Sequence, residues 1–238
     1  MKIYAHRGAS HDYPEMTMAA FEAAVKQGAD GLECDLRLSK DGVAVLWHDA
    51  DLARIANNKA LVSGSTFAQL KEIYPQILTL DEILDFAILQ KVSLFLETKH
   101  PVPTRTAIED QLVEKISKES KRIKKSDIEV TVMSFSWLAI ERIKSLDKSI
   151  ATTYLLHNHF PLFSALHSSA KSLGPEIIQL RKNPELSARI KASGRKLSVW
   201  TVNDPPDIEL CHRLDVDNLI TDRPAFAREI LRGIQRDI

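Results

Sequence analysis

Short apolar runs alternate along this chain with longer segments of helical period. The apolar runs fall at residues 2–5, 31–36, 43–47, 92–96, 128–133, 150–156, 177–180, 197–201 and 218–220, which makes nine candidate strands. Helical patterning fills most of the gaps, at 17–27, 80–89, 104–120, 137–146, 161–172, 184–193, 205–212 and 224–233. Pro161, Pro184, Pro205 and Pro224 each stand where a helix would begin, a position that needs no backbone N–H. Gly28, Gly174 and Gly194 fall just past helix ends, where a left-handed cap is expected. Repeated strand–helix units imply parallel strands with helical crossovers. Eight such units close a barrel, and nine strands are one too many. The surplus has a local reading: Asp41-Gly42 is a tight-turn signal between two strand-like runs. Residues 43–47 are therefore expected to return antiparallel to the second strand and lie outside the count of eight. The expectation is an α/β chain, a (β/α)8 TIM barrel with an extra antiparallel hairpin arm. Residues 51–79 break the alternation and carry Asn57-Asn58 and Ser63-Gly64-Ser65, so they read as a short insertion after the second barrel strand. Residues 1–238 are read as one barrel domain.

Composition adds exclusions. The chain has 238 residues, 44% of them hydrophobic and 27% charged, with 32 basic and 32 acidic side chains. That is the balance of a globular protein rather than a disordered one. It leaves no basic excess for a nucleic-acid backbone. No apolar stretch nears the ~18 residues that span a bilayer, so no stable membrane insertion is expected. Residues 1–10 lack the apolar core of a signal peptide. Cys34 and Cys211 stand far apart and read as reduced thiols of a cytoplasmic protein. The basic run at 118–125 reads as a solvated helix end.

Polar residues concentrate where the apolar strands end: His6-Arg7-Gly8, Glu33-Cys34-Asp35, His48-Asp49 and Glu97-Thr98-Lys99. Active sites of such barrels lie at those ends. Glu33 and Asp35, two apart on a strand, point to one side, and Cys34 points to the other, toward the helices. With Glu97 they make three hard oxygen donors, suited to Mg2+, Ca2+ or Mn2+. The alternative is that each carboxylate pairs with Arg7, Arg37 or Lys99; for the set of three, a metal is the better account. The hairpin returns His48 toward Glu33 and Asp35, so His6 and His48 are the candidate acid and base. His11, His100, His157, His159, His167 and His212 are read as structural. Arg7, with a planar fork, and Lys99, with a point charge, suit a phosphate ester. No glycine-rich nucleotide loop is present.

Taken in order, these segments resemble the glycerophosphodiester phosphodiesterase family. They are joined by Pro14-Glu15-Met16-Thr17, Asp41-Gly42, Ser134-Phe135, Trp200-Thr201-Val202-Asn203 and Thr221-Asp222-Arg223-Pro224, so the match runs from residue 6 to 224. The resemblance implies a barrel holding one divalent cation, Mg2+ or Ca2+ with Mn2+ as a further candidate, on Glu33, Asp35 and Glu97. It implies His6 and His48 as the acid–base pair and Arg7 and Lys99 near the phosphate. Glu15 would orient Arg7 or the metal shell, and Phe135 and Trp200 would line the pocket on the glycerol side. The implied reaction is metal-dependent hydrolysis of a small-molecule glycerophosphodiester to glycerol 3-phosphate and an alcohol. Competing readings are a phospholipase D-like phosphodiesterase of the same barrel superfamily, a non-catalytic phosphodiester-binding barrel and, more remotely, a metal-dependent isomerase or aldolase barrel. Met16 stands where the family pattern has Asn, and the stretch after Asp51 diverges where leaving-group selectivity would be built.

Overall fold

In the computed structural model, which describes residues 1–157 and 162–236, the chain runs in order through β1 (Lys2–His6), α1 (Met18–Lys26), β2 (Gly31–Leu38), β3 (Ala44–Leu46), β4 (Asp51–Leu52), α2 (Ala53–Ala56) and β5 (Asn58–Leu61). A 3-10 turn follows, then α3 (Phe67–Ile73), α4 (Leu80–Gln90), β6 (Ser93–Thr98), α5 (Ala107–Ser126), β7 (Val130–Ser134), α6 (Trp137–Leu146), β8 (Ala151–Leu156) and α7 (Leu162–Leu166). The remaining elements are β9 (Ser172–Pro175), α8 (Ile177–Lys182), α9 (Glu185–Ala192), β10 (Lys196–Val199), α10 (Pro205–Arg213), β11 (Asn218–Thr221) and α11 (Pro224–Arg236).

Eight parallel strands, in the order β1-β11-β10-β9-β8-β7-β6-β2, close through β1–β2 pairing, where His6 stands opposite Glu33. The fold is a (β/α)8 barrel. The hairpin arm is as expected: β3 pairs antiparallel to β2, Leu46 opposite Leu36 and Ala44 opposite Leu38, and lies outside the eight. The turn closes through Ser39 carbonyl and hydroxyl contacts around Gly42. Apolar clusters fill the space between strands and helices, as strands buried on both faces require. A smaller cluster fills the barrel itself. There Tyr4 stacks on Phe95 with ring centroids 3.8 Å apart, beside Met133, Leu155 and Ile220, and forms a dry floor beneath the strand ends.

The insertion is more ordered than its loop-like composition suggests. It carries the β4–β5 hairpin, α2, the 3-10 turn and α3, and its own apolar cluster includes Trp47, Leu52, Val62, Leu70 and Ile77. Capping boxes start α3 at Thr66 and α4 at Thr79.

One strand expectation is wrong. Residues 177–180 form helix α8, not a strand, and the barrel strand is β9, just before it. Four apolar-rich residues fit either period. Here a capping box between Glu176 and Gln179 decides for helix. β9 escaped notice because it reads Ser-Leu-Gly-Pro. Gly174 is accordingly no helix cap: it is a strand residue, and a Cβ there would stand 2.6 Å from Leu155 Cδ2. The helix expected over 161–172 is confined to α7 among the described residues, and Pro161 and His159 lie outside them. Helix α5 starts three residues later than expected and runs on to Ser126, taking in the basic run as its exposed end. Pro205 and Pro224 do open their helices, and Pro184 caps α9. Among the described residues no helix is long and apolar enough to cross a membrane.

Candidate active site

The site begins at a tight turn. After β1 the backbone passes through left-handed conformations at Arg7 (φ 58°) and Gly8 (φ 86°). A Cβ on Gly8 would stand 2.8 Å from the Cβ of Ala20, so only glycine lets α1 approach this closely. The turn sends Arg7 back over the barrel, with Nε 2.9 Å from Asp35 Oδ2 and a terminal nitrogen donating to Glu15 Oε1 at 3.2 Å. The Arg7 backbone N–H donates to Glu33 Oε2 at 3.2 Å.

Glu33 and Asp35 from β2 and Glu97 from β6 are buried together, and one oxygen from each lies within 4.8 Å of the others. These three form a group able to hold a metal ion. Lys99, one residue past β6, contacts Asp35 Oδ1 at 2.7 Å and donates to Glu97 Oε1 at 2.6 Å. The cluster and the ion-pair alternative are thus both realised, but unevenly: two cations face three carboxylates. Burial pushes Asp35 up, yet Lys99 and Arg7 outweigh it and hold this carboxyl at about 2. Burial, then the Asp35 charge, raises Glu97 to about 7 and Glu33 well above its ordinary range. Without a further positive charge, the three cannot all ionise cheaply.

Both histidines are clamped through Nδ1. His6 Nδ1 lies 2.6 Å from Asp222 Oδ1, and its Nε2 lies 3.9 Å from Glu33 Oε2. Asp222 in turn accepts from Ser10 Oγ at 2.9 Å and from Asn203 Nδ2 at 2.6 Å. Asn203 Oδ1 accepts from Thr221 Oγ1 and the Asp222 N–H. Burial would raise Asp222, but its hydrogen bonds and the His6 charge hold it at about 2. An ionised carboxylate only accepts, so the His6 Nδ1 proton points to Asp222 and leaves Nε2 for the site. Strand β3 delivers His48 as the hairpin logic requires, since the Trp47 N–H donates to the Asp35 carbonyl. His48 Nδ1 lies 2.7 Å from Asp49 Oδ1, and Asp49 Oδ2 accepts from Arg54 Nε at 2.6 Å. Arg54 also grips both Glu15 oxygens, at 2.9 and 2.7 Å. An ion-pair chain therefore runs from His48 through Asp49, Arg54, Glu15 and Arg7 to Asp35. Burial, aided by Lys99 and Arg7, lowers the His48 pKa despite Asp35.

Phe135 and Trp200 meet edge to face at 5.3 Å over the barrel floor, and the Trp200 indole donates to the Gly174 carbonyl. Exposed His157 stacks on Phe135 at 4.4 Å, so this histidine sits on the rim and not in the structural role expected of it. His100 keeps that role, 2.7 Å from buried Glu109. Met16, at φ 55°, turns its side chain into the apolar cluster, and only its N–H serves the turn, donating to the Arg7 carbonyl. Asp222, Asn203 and Asp49 lie inside the motifs already noted, though none was singled out. Nothing in the sequence pointed to Arg54.

A family model described as the glycerophosphoryl diester phosphodiesterase family matches residues 6–226. The chain belongs to that family. Glycerophosphoryl diester phosphodiesterases are phosphodiester hydrolases, and this chain is an enzyme of that class. It is 33% identical to a probable glycerophosphodiester phosphodiesterase 1 of Mycobacterium tuberculosis, over 93% of this chain and 89% of that one. It is 31% identical to a glycerophosphodiester phosphodiesterase of Caldanaerobacter subterraneus, over 97% of both. Among solved structures, the Thermotoga maritima glycerophosphodiester phosphodiesterase aligns with a TM-score of 0.81 at 26% identity, over 97% of this chain and 98% of that one. An Oleispira antarctica phosphodiesterase, solved with the product sn-glycerol-3-phosphate, aligns with a TM-score of 0.80 at 25% identity, over 98% and 97%.

Proposed function

We propose that this protein hydrolyses small-molecule glycerophosphodiesters to glycerol 3-phosphate and an alcohol, with His6 and His48 as the acid–base pair. The observation that carries this reading is the pair of imidazoles, each tied through Nδ1 to an aspartate, beside a buried carboxylate trio that lacks one positive charge. Breaking the bond from phosphorus to the leaving oxygen needs one group to take the nucleophile's proton and another to give one to the leaving alkoxide. Two imidazoles with Nδ1 occupied offer Nε2 for both tasks. The product named in the Oleispira complex supports the glycerol 3-phosphate half of the substrate.

Glu33, Asp35 and Glu97 would hold one divalent cation, Mg2+ or Ca2+, with Mn2+ also suited to three oxygen donors. When bound, the cation supplies Lewis-acid neutralisation of the phosphoryl charge. Arg7 and Lys99 add the two cationic groups that grip phosphate oxygens, and Glu15 with Arg54 orients Arg7. Phe135 and Trp200 offer an apolar surface to the glycerol carbons. We read residues 1–238 as one domain. Its two free, buried thiols fit a cytoplasmic setting.

Chelator-stripped protein is expected to turn over glycerophosphodiesters only after a divalent cation is restored. His6→Ala and His48→Ala each should lower kcat ~10²–10⁴-fold while calorimetric metal affinity stays within a few-fold of wild type. Metal affinity itself should weaken as pH falls below 7, because Glu97, at about 7, must give up its proton to bind. Full turnover in chelator, or full turnover by His6→Ala, refutes the reading.

A further inference from the structure

Arg37 lies two residues beyond Asp35 on β2 and so points to the same side of the strand. Its one side-chain hydrogen bond runs from Nε to the His48 carbonyl at 2.9 Å. Among the described residues no carboxylate lies within ion-pair distance of it, and Asp35, Asp49 and Glu97 act on it only from further away. Arg37 and Lys99 line a cavity of about 60 Å³. Val62 and Ser63 of the insertion and the loop after β6, residues 101–104, also line it. Lys99 links the cavity to the carboxylate trio, since its Nζ touches both Asp35 and Glu97.

Its chemistry is selective. A single water needs roughly 10–15 Å³ on this scale, so the space suits only a small group. Its lining residues include Arg37, Ser63 and Thr104, together with Lys99, whose ammonium is held by Asp35 and Glu97, and none of them is acidic or aromatic. A quaternary ammonium is recognised by aromatic faces or carboxylates. The aromatic pair, Phe135 and Trp200, stands one residue past the ends of β7 and β10 and is not among the lining residues.

We propose that this cavity receives the leaving alcohol and that Arg37 sets its charge preference. The favoured substrates are then glycerophosphodiesters of small alcohols that are neutral or carry a carboxylate, such as glycerol or serine, rather than choline or ethanolamine. This rests on the hydrolytic reading above, and Arg37 is a specificity residue for that reaction.

The test is kcat/KM of the metal-loaded full chain for glycerophosphoserine, glycerophosphoglycerol and glycerophosphocholine, in wild type, Arg37→Gln and Arg37→Lys. Losing the bond to the His48 carbonyl slows every substrate alike, so it cancels from the ratio of two substrates. Wild type should favour glycerophosphoserine over glycerophosphocholine by about tenfold or more, the scale of one partly screened charge pair. Arg37→Gln should bring that ratio close to one, and Arg37→Lys should restore most of it, with the change carried by KM. A wild-type preference for choline, or a serine-to-choline ratio that Arg37→Gln leaves unchanged, overturns the assignment while the hydrolytic reading stands. No turnover of any glycerophosphodiester overturns both.

Discussion

The two histidines sit in matching clamps built from unlike material. His6 and Asp222 come from the ends of β1 and β11, 216 residues apart in sequence and neighbours in the barrel. Asp222 is held again by Ser10 and Asn203, and Asn203 by Thr221. His48 and Asp49 are adjacent residues, and the clamp is steadied by Arg54 on α2, a four-residue helix with no buried side chain and no side-chain cap. One arm is over-determined by barrel strands; the other depends on a chain of ion pairs through a half-exposed arginine. The two aspartates are similarly exposed, so the difference lies in their partners: a carboxylate bonded by His6, Ser10 and Asn203 tolerates little, whereas one held by a half-exposed arginine can be served in part by water.

The sharpest way to break this symmetry is to neutralise each aspartate. Asp222→Asn keeps the shape but offers an amide that can present N–H to His6 Nδ1, favouring the wrong tautomer in a network with no slack. We expect kcat to fall ~10–10²-fold, less than the ~10²–10⁴-fold for removing a positioned acid or base outright, because the imidazole itself remains. Asp49→Asn should cost less than about tenfold, because the ring stays tethered by the backbone of β3 and is open to water. Steady-state kinetics on one substrate decides it. Equal losses at the two positions would show the second clamp to be as rigid as the first.

This asymmetry also explains what could be read from the sequence. Charged residues at strand ends announce themselves, because a barrel interior tolerates them there and almost nowhere else. That is why Glu33, Asp35, Glu97, Arg7, Lys99 and both histidines were legible. The hairpin was legible because Asp41-Gly42 is a local signal. Asp222 was visible as part of a motif but not as a partner of His6, since that contact exists only once β11 pairs with β1. β9 was hidden because crowding under Leu155 selects Gly174 over an apolar strand former. Arg54 was hidden because its meaning lies in Glu15 and Asp49, brought together only by the insertion's fold.

A gentler perturbation cuts the longer clamp at its middle. Arg54→Ala removes the link from Asp49 to Glu15 and leaves both carboxylates in place. Arg7 then keeps Asp35 but loses a fixed Glu15. The expected loss in kcat/KM is about 2–5-fold, and it should be mimicked in wild type by raising ionic strength, since the screening length for exposed pairs falls from about 10 Å at 0.1 M salt to about 3 Å at 1 M. Turnover by Arg54→Ala should accordingly be less salt-sensitive than wild type. A variant that loses activity and keeps the full salt dependence would place the screening elsewhere.

The smallest effect lies in stability at acid pH, where folding lowers both aspartates against their burial: Asp49 through His48 and Arg54, and Asp222 through His6, Asn203 and Ser10. Asp222 is held at about 2 in the fold, against an ordinary value of 3.8. A carboxyl depressed by folding contributes stability that is present above its unfolded value and is lost as pH falls through the folded one. The contribution is therefore complete near pH 5 and mostly lost by about pH 2. With the side chain partly open to water, about 1 kcal/mol is a fair size for it. Asp222→Asn cannot titrate, so the stability gap between wild type and this variant should shrink by that amount between pH 5 and pH 2, measured by urea unfolding in metal-free buffer. Asp49 is itself lowered in the fold, so Asp49→Asn should show a shrinking gap of its own, and the tightness of the barrel-built arm is read from Asp222→Asn. A gap for Asp222→Asn that stays constant over the same range would mean that His6, Ser10 and Asn203 do not favour the ionised carboxylate, and the rigid arm would lose its claim to be the tighter of the two.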